Sequence, residues 1–197
     1  IDRRVGRSLT TEEATELAKA VNEQIQLESY PANFQFKNTL SHRGALVIRS
    51  KKKKLSGNIT NTDPAYTRIK GIGVAEPEAE MILKKCIPMD KTEEAKISAN
   101  LVNEFTEKSM MILDNHEINK KRLKEGKPKA NVILVRDAGH RLPKFPHLNQ
   151  QYGFSFVCLA DMPVERGISK LAGMHMVDLP PPSKNLEKDC KLRVEKL

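Results

Sequence analysis

Apolar residues recur along this chain with two different periods. Between residues 10 and 27, Ala14, Leu17, Ala18, Val21 and Ile25 stand three or four apart, which places them on one face of a helix. Thr10 and Glu13 have the spacing of a capping box and predict where that helix begins. Two strands are predicted next, "NFQFK" (33–37) and the nearly all-apolar "GALVIRS" (44–50). A polar turn follows through Asn58, Asn61, Asp63 and Pro64. Residues 66–90 lack a clear period and carry the breakers Gly71, Gly73, Pro77 and Pro88. A long helix is predicted over 92–113. Thr92 is its N-cap, Glu93 and Glu94 suit its positive end, and Ile97, Leu101, Phe105 and Ile112 mark its buried face. A short basic helix over 115–125 ends at Gly126. Beyond it the pattern predicts strands at 131–135, 154–160 and 174–179, a helix at 163–171, and a charged helix over 184–197.

The alternation of strand and helix from 131 to 179 predicts βαβ units and an α/β fold with parallel pairing. No internal repeat is visible. The run "EGKPKA" suggests a domain boundary near 126–130. With 197 residues, the chain can form one or two domains with a sizeable core. Lys and Arg number 34 against 25 Asp and Glu, a formal net charge of +9, which favours anionic partners without choosing among them. Cys86, Cys158 and Cys190 lie far apart without a CxxC pair, which predicts a reducing, cytoplasmic setting rather than a disulfide framework or a zinc knuckle. No run of 18 apolar residues exists, so no membrane partner is expected. The chain opens with Ile1 rather than Met, as a piece of something longer would.

The candidate chemistry begins at "KANVILVRDAGHRLPKFP" (129–146), where an apolar strand gives way within one residue to Arg136, Asp137, Gly139, His140 and Arg141. The C-terminal end of a strand is where α/β sheets bind ligands. At the other end of the chain, Arg3, Arg4 and Arg7 fall within "DRRVGR". Guanidinium forks match carboxylate and phosphate oxygens, so this stretch reads either as an anion clamp or as a solvated basic segment. The four lysines at 51–54 could bind nucleic acid by counterion release. With no aromatic residue among them, a solvated hairpin tip is the better reading. His42, His116, His140, His147 and His175 form no metal-ligand spacing; His140 is a candidate ligand contact and His175 reads as structural. "GIGVAE" lacks the spacing of a phosphate loop, no GxSxG elbow exists, and no cysteine stands in a pattern that would mark a nucleophile. The residues offer anion-binding arginines without a catalytic centre.

Taken together, "DRRVGR" (2–7), "SHRGALVIR" (41–49), "LSGNITNTDP" (55–64), "INKKRLKEGKPKANVILVRDAG" (118–139) and "YGFSFVCLADMPVERGISKLAGMHMVDLP" (152–180) resemble the archaeal-type cofactor-independent phosphoglycerate mutases in order and spacing. The resemblance is weakest over 10–35 and 65–115. It implies an α/β protein of the alkaline phosphatase superfamily in which an inserted substrate-binding domain, a mixed sheet with flanking helices, interrupts a phosphatase-like domain. Residues 1–128 would be most of the inserted domain, 129–150 a substrate-contact strand and connection, and 151–197 part of the phosphatase-like domain.

The implied activity is the glycolytic and gluconeogenic interconversion of 3-phosphoglycerate and 2-phosphoglycerate through a phosphoserine, with two divalent metals (manganese, magnesium or zinc) activating the serine. Asp2, Arg3, Arg7 and Arg136 fall on the family's substrate-gripping positions. Arg166 stands where the family usually has a lysine, so charge is kept and shape is not. Asp137 stands where a glycine is common, and His140 and Arg141 are additional candidate contacts. The family's metal-binding motif and nucleophilic serine would precede residue 1, and its later ligands would follow residue 197. The chain is therefore expected to bind no metal and to be inactive alone, either as a fragment or as a naturally shortened homologue that binds a phosphometabolite. As a fragment it should expose apolar surface at "FSFVCLA" and "MHMVDL". The rival from another class is a basic nucleic-acid-binding protein.

Overall fold

The computed structural model describes residues 1–69, 72–142, 144–183 and 185–196. The architecture is mixed α/β, and the chain divides into two compact units, Ile1–Arg141 and Leu142–Leu197.

In the first unit, α1 (Val5–Ser8) leads into α2 (Thr11–Gln24). The Thr10 hydroxyl accepts from Glu13 N, and the Glu13 carboxylate accepts from Thr10 N at 3.0 Å, which closes the predicted capping box. Strands β1 (Asn33–Leu40) and β2 (Arg43–Arg49) pair antiparallel from Asn33↔Arg49 to Leu40↔Arg43, with a bulge between Asn38 and Leu40. The tip is fastened to the start of α2: Ser41 N donates to Thr11 Oγ1 at 3.0 Å and Ser41 Oγ donates to Leu9 O at 2.9 Å. Helix α3 (Glu93–Asp114) starts at its predicted N-cap, Thr92, and α4 (Glu117–Lys124) ends ahead of Gly126, which takes a left-handed φ of 70°.

Leu17 and Val21 from α2, with Ile25 just after it, meet Phe105 and Leu113 from α3 in the main core. Phe34 and Phe36 from β1 pack on Phe105 with ring centroids 5.1 and 6.0 Å away. These contacts follow from the helical period in α2 and α3 and the alternation in β1.

Two expectations change here. The aperiodic stretch contains a hairpin, β3 (Tyr66–Ile69) and β4 (Ile72–Ala75), whose four-residue strands are too short to show alternation. The strand predicted at 131–135 is extended but forms no ladder. Thr62 takes both ends of the Val135 peptide: Thr62 N donates to Val135 O at 2.8 Å, and its hydroxyl accepts from Val135 N at 2.8 Å. A side chain thus fills the place of a backbone acceptor. The βαβ alternation consequently starts later than the sequence suggests.

The unit also ends later than the "EGKPKA" run. Buried Asn119 donates to Leu113 O at 2.7 Å and Ala130 O at 3.1 Å and accepts from Ala130 N at 2.7 Å, fastening that run to α3 and α4. The lysines at 51–54 form an exposed loop after β2 rather than a hairpin tip.

The second unit contains α5 (Leu148–Tyr152), β5 (Val157–Ala160), α6 (Pro163–Leu171), β6 (His175–Asp178) and α7 (Leu186–Glu195). β5 and β6 pair in parallel across α6, in register from Val157↔His175 to Ala160↔Asp178. β5 starts three residues later than predicted because the Asn149 side chain takes Phe156 N at 2.8 Å. Parallel strands are ordinarily covered on both faces. Here Phe154 is 72% exposed, and Val157 and Met176 are exposed with it.

Candidate functional site

The site is assembled on the turn "NTDP". Asn61, Thr62 and Asp63 are buried there and polar, so each needs a partner. Asn61 Oδ1 accepts from Asp137 N at 3.1 Å and Asn61 Nδ2 donates to Tyr66 O at 3.2 Å. Asp63 Oδ1 accepts from Ala65 N at 3.0 Å, a local turn of the kind Asp favours. The turn thereby fixes both Tyr66, at the start of β3, and residues 135–137. Asp137 itself takes a left-handed φ of 58°, which Asp tolerates better than most residues.

Arg136 is placed between these groups. Its Cζ lies 3.8 Å from the centroid of the Tyr66 ring. Its Nη1 is 3.6 Å from Asp63 Oδ2 and its Nε 3.6 Å from Asp137 Oδ2. Arg3, from the opposite end of the unit, brings its Cζ to 5.8 Å from the same ring centroid. Both guanidiniums are within cation–π range of one aromatic ring. Arg136 foremost, through hydrogen bonding and charge, and Arg3 with it, hold the Tyr66 phenol below its usual range. Arg7 is exposed in the last turn of α1, about one turn beyond Arg3.

His42 forms a second edge. A side chain at Gly6 would meet the His42 ring at 3.1 Å, so the glycine lets the ring lie against α1. Burial foremost, with the charges of Arg43, Arg136 and Arg3, favours the neutral form and holds the imidazole below the usual histidine range, against the opposing hydrogen bond to the Gly6 backbone. A neutral imidazole among cations can donate one hydrogen bond without adding a charge.

The remaining sequence candidates have other surroundings. The Asp2 carboxylate accepts from Arg4 Nε at 3.0 Å and Nη2 at 2.6 Å. Those bonds hold its carboxyl at about 2. His140 Nδ1 accepts from Gly57 N at 3.4 Å, and Arg141 is exposed at the end of the first unit. Arg166 belongs to the second unit, where its Nη2 is 2.6 Å from Asp178 Oδ1. His175 is exposed on β6.

Tyr66, His42 and Asp63 were not singled out by sequence reasoning. The available signal was position: His42 stands beside Arg43 in "SHRG", and Tyr66 closes the "NTDP" turn. Among the described residues, no three His, Cys, Asp or Glu side chains converge as a metal site would require. The described residues by themselves therefore do not fit a dimetal centre.

Chemically, this arrangement presents fixed cations and a neutral donor, with no nucleophile or base in a reacting geometry. It can hold an anion with several negative oxygens and keep it oriented.

The profile of the 2,3-bisphosphoglycerate-independent phosphoglycerate mutases matches residues 1–119. The enzyme of that name from Aeropyrum pernix is 46% identical over 176 residues, covering 88% of this chain and 41% of the relative. The one from Methanosphaera stadtmanae is 34% identical over 188 residues, covering 95% of this chain and 41% of the relative. The solved structure of the cofactor-independent phosphoglycerate mutase from Thermoplasma acidophilum is similar over 99% of this chain and 48% of that one, with 27% identity and a TM-score of 0.56. The chain thus spans about two fifths of the length of these curated relatives.

Proposed function

This chain belongs to the 2,3-bisphosphoglycerate-independent phosphoglycerate mutase family, and from that premise we propose that it is the substrate-holding part of an isomerase interconverting 3-phosphoglycerate and 2-phosphoglycerate. The observation that carries the reading is the convergence of Arg3 and Arg136 on Tyr66.

Phosphoglycerate carries about three negative charges near neutral pH, on a carboxylate and a phosphate. Arg136 and Arg3, with Arg7 about one turn further on in α1, offer planar forks that match both groups. Moving a phosphoryl group between two hydroxyls of one glycerate requires the glycerate to stay held while the phosphoryl is elsewhere. Fixed guanidiniums supply that grip, and Tyr66 keeps the two nearest aligned. Two divalent metals would serve the complete enzyme.

The test is a coupled assay of the complete product of the gene with manganese, following 2-phosphoglycerate through enolase. Arg136→Ala should lower kcat/KM about 100-fold, the loss of two charge-assisted hydrogen bonds of about 1.5 kcal/mol each. Wild-type activity in that variant would sink the proposal.

A further inference from the structure

Among the described residues, one buried charged side chain has no part in that grip. Arg122, on α4, is 0% exposed. Each nitrogen of its fork is engaged. Nη1 donates to Glu13 Oε2 at 2.8 Å and Ser8 O at 3.3 Å, Nη2 donates to Ser8 Oγ at 2.7 Å, and Nε donates to Pro128 O at 3.0 Å. Glu13 is itself bound into the Thr10 capping box.

These partners sit at the roots of the arginine-bearing segments. Ser8 is the last residue of α1, which presents Arg7 and follows Arg3. Pro128 opens the extended run that ends in Arg136, and the next link along it is the Asn119–Ala130 pair. A buried ion pair is weak evidence of stability, because desolvating the charges offsets much of their attraction. Its clearest effect is on geometry. A planar guanidinium can bind three directions at once, which an ammonium cannot reproduce.

We propose that Arg122 is a positioning residue for the phosphoglycerate site: one buried guanidinium sets α1 and the 128–136 segment in mutual register, so that Arg3 and Arg136 reach the same ligand. The inference rests on the functional reading above and adds the group that pre-organises the grip. His42 supplies an independent gauge, because its ring lies against Gly6 of α1 and responds to how that helix is seated.

The experiment uses the full chain. Binding of 3-phosphoglycerate is measured by calorimetry for wild type, Arg136→Ala and Arg122→Lys, at a temperature where circular dichroism finds each folded. The His42 ring is titrated in parallel by NMR. Arg122→Lys should weaken binding at least tenfold and move the His42 midpoint up toward the ordinary histidine range, as α1 loosens. A brace serving stability alone would lower the melting temperature and leave both readouts where they were. Folded Arg122→Lys with wild-type affinity and an unmoved His42 midpoint overturns the inference while leaving the functional reading intact. If Arg122→Lys does not fold, Ser8→Ala decides, since it deletes one acceptor at the end of α1. It should weaken binding threefold or more with the same direction of His42 shift, and no change in either overturns the inference. If wild type itself does not bind 3-phosphoglycerate, the functional reading fails, and the His42 midpoint alone judges whether Arg122 seats α1.

Discussion

Arg136 stacks its guanidinium 3.8 Å from the centroid of the Tyr66 ring, between the carboxylates of Asp63 and Asp137. The stack holds the plane of the guanidinium against the ring and so aims the fork. Tyr66→Leu should therefore weaken 3-phosphoglycerate binding about 3- to 10-fold, while Tyr66→Phe should retain most of it. Arg136→Ala should also return the Tyr66 phenol upward toward its ordinary range, because Arg136 is the principal cause of its depression. Ultraviolet titration of the phenol checks this.

His42 makes the folded state sensitive to mild acid. Its folded-state titration lies below that of the unfolded chain, chiefly through burial. As pH falls through the ordinary histidine range, the unfolded chain takes up a proton that the folded one resists. Stability from this group is thus fully present above about pH 7 and declines toward the lower folded-state midpoint. Urea unfolding at pH 7.5 and 5.5 should show the loss, and His42→Gln should reduce it.

Glu104 governs a lower window. Burial opposes its ionisation, but the Ser29 hydroxyl, Lys108 and the backbone N–H groups of Glu28 and Ser29 outweigh that and hold its carboxyl at about 2. Ser29 Oγ donates to it at 2.6 Å and Glu28 N at 2.6 Å. Its contribution is present above the unfolded carboxylate range and is lost as pH falls from about 4.5 toward 2. Glu104→Gln should cost about 2 kcal/mol at pH 7 and flatten the acid limb of the stability profile.

Phe105 is the pivot of the first unit's core, fully buried against Phe34 and Phe36. Phe105→Ala should cost about 3–5 kcal/mol through lost transfer energy and the cavity left behind. Chemical denaturation measures it.

The four lysines at 51–54 are exposed. Replacing all four with Gln should leave 3-phosphoglycerate affinity within about twofold, because exposed charges are screened over about 10 Å at ordinary salt. A large loss would move the anion site onto that loop.

Much of this was legible in the chain itself, and the exceptions have physical reasons. Thr10, Thr92 and Gly126 mark helix ends by local chemistry that needs no distant partner, and the structure places α2, α3 and α4 accordingly. The apolar run at 131–135 reads as a strand, but a ladder depends on what lies beside it, and Thr62 supplied a side chain. Arg3 and Arg136 could be suspected from their motifs. Tyr66 and His42 could not, because their roles come from being touched by arginines remote in sequence. The Asp2–Arg4 pair teaches the same point in reverse, as a local hydrogen bond takes up a carboxylate that its motif would assign to the substrate.

The bulge between Asn38 and Leu40 has a consequence for how this surface can vary. It sets the phase of the hairpin, so that Phe34 and Phe36 face Phe105 while the Ser41 tip reaches Leu9 and Thr11. Side chains alternate faces along a strand, and each residue advances it by about 3.3 Å. One residue added or removed between 38 and 43 would have to be absorbed at the tip, carrying His42 off Gly6, or along the strand, turning the aromatic rings away from the core. The hairpin can accept many changes of letter, but its count of residues is fixed from both ends.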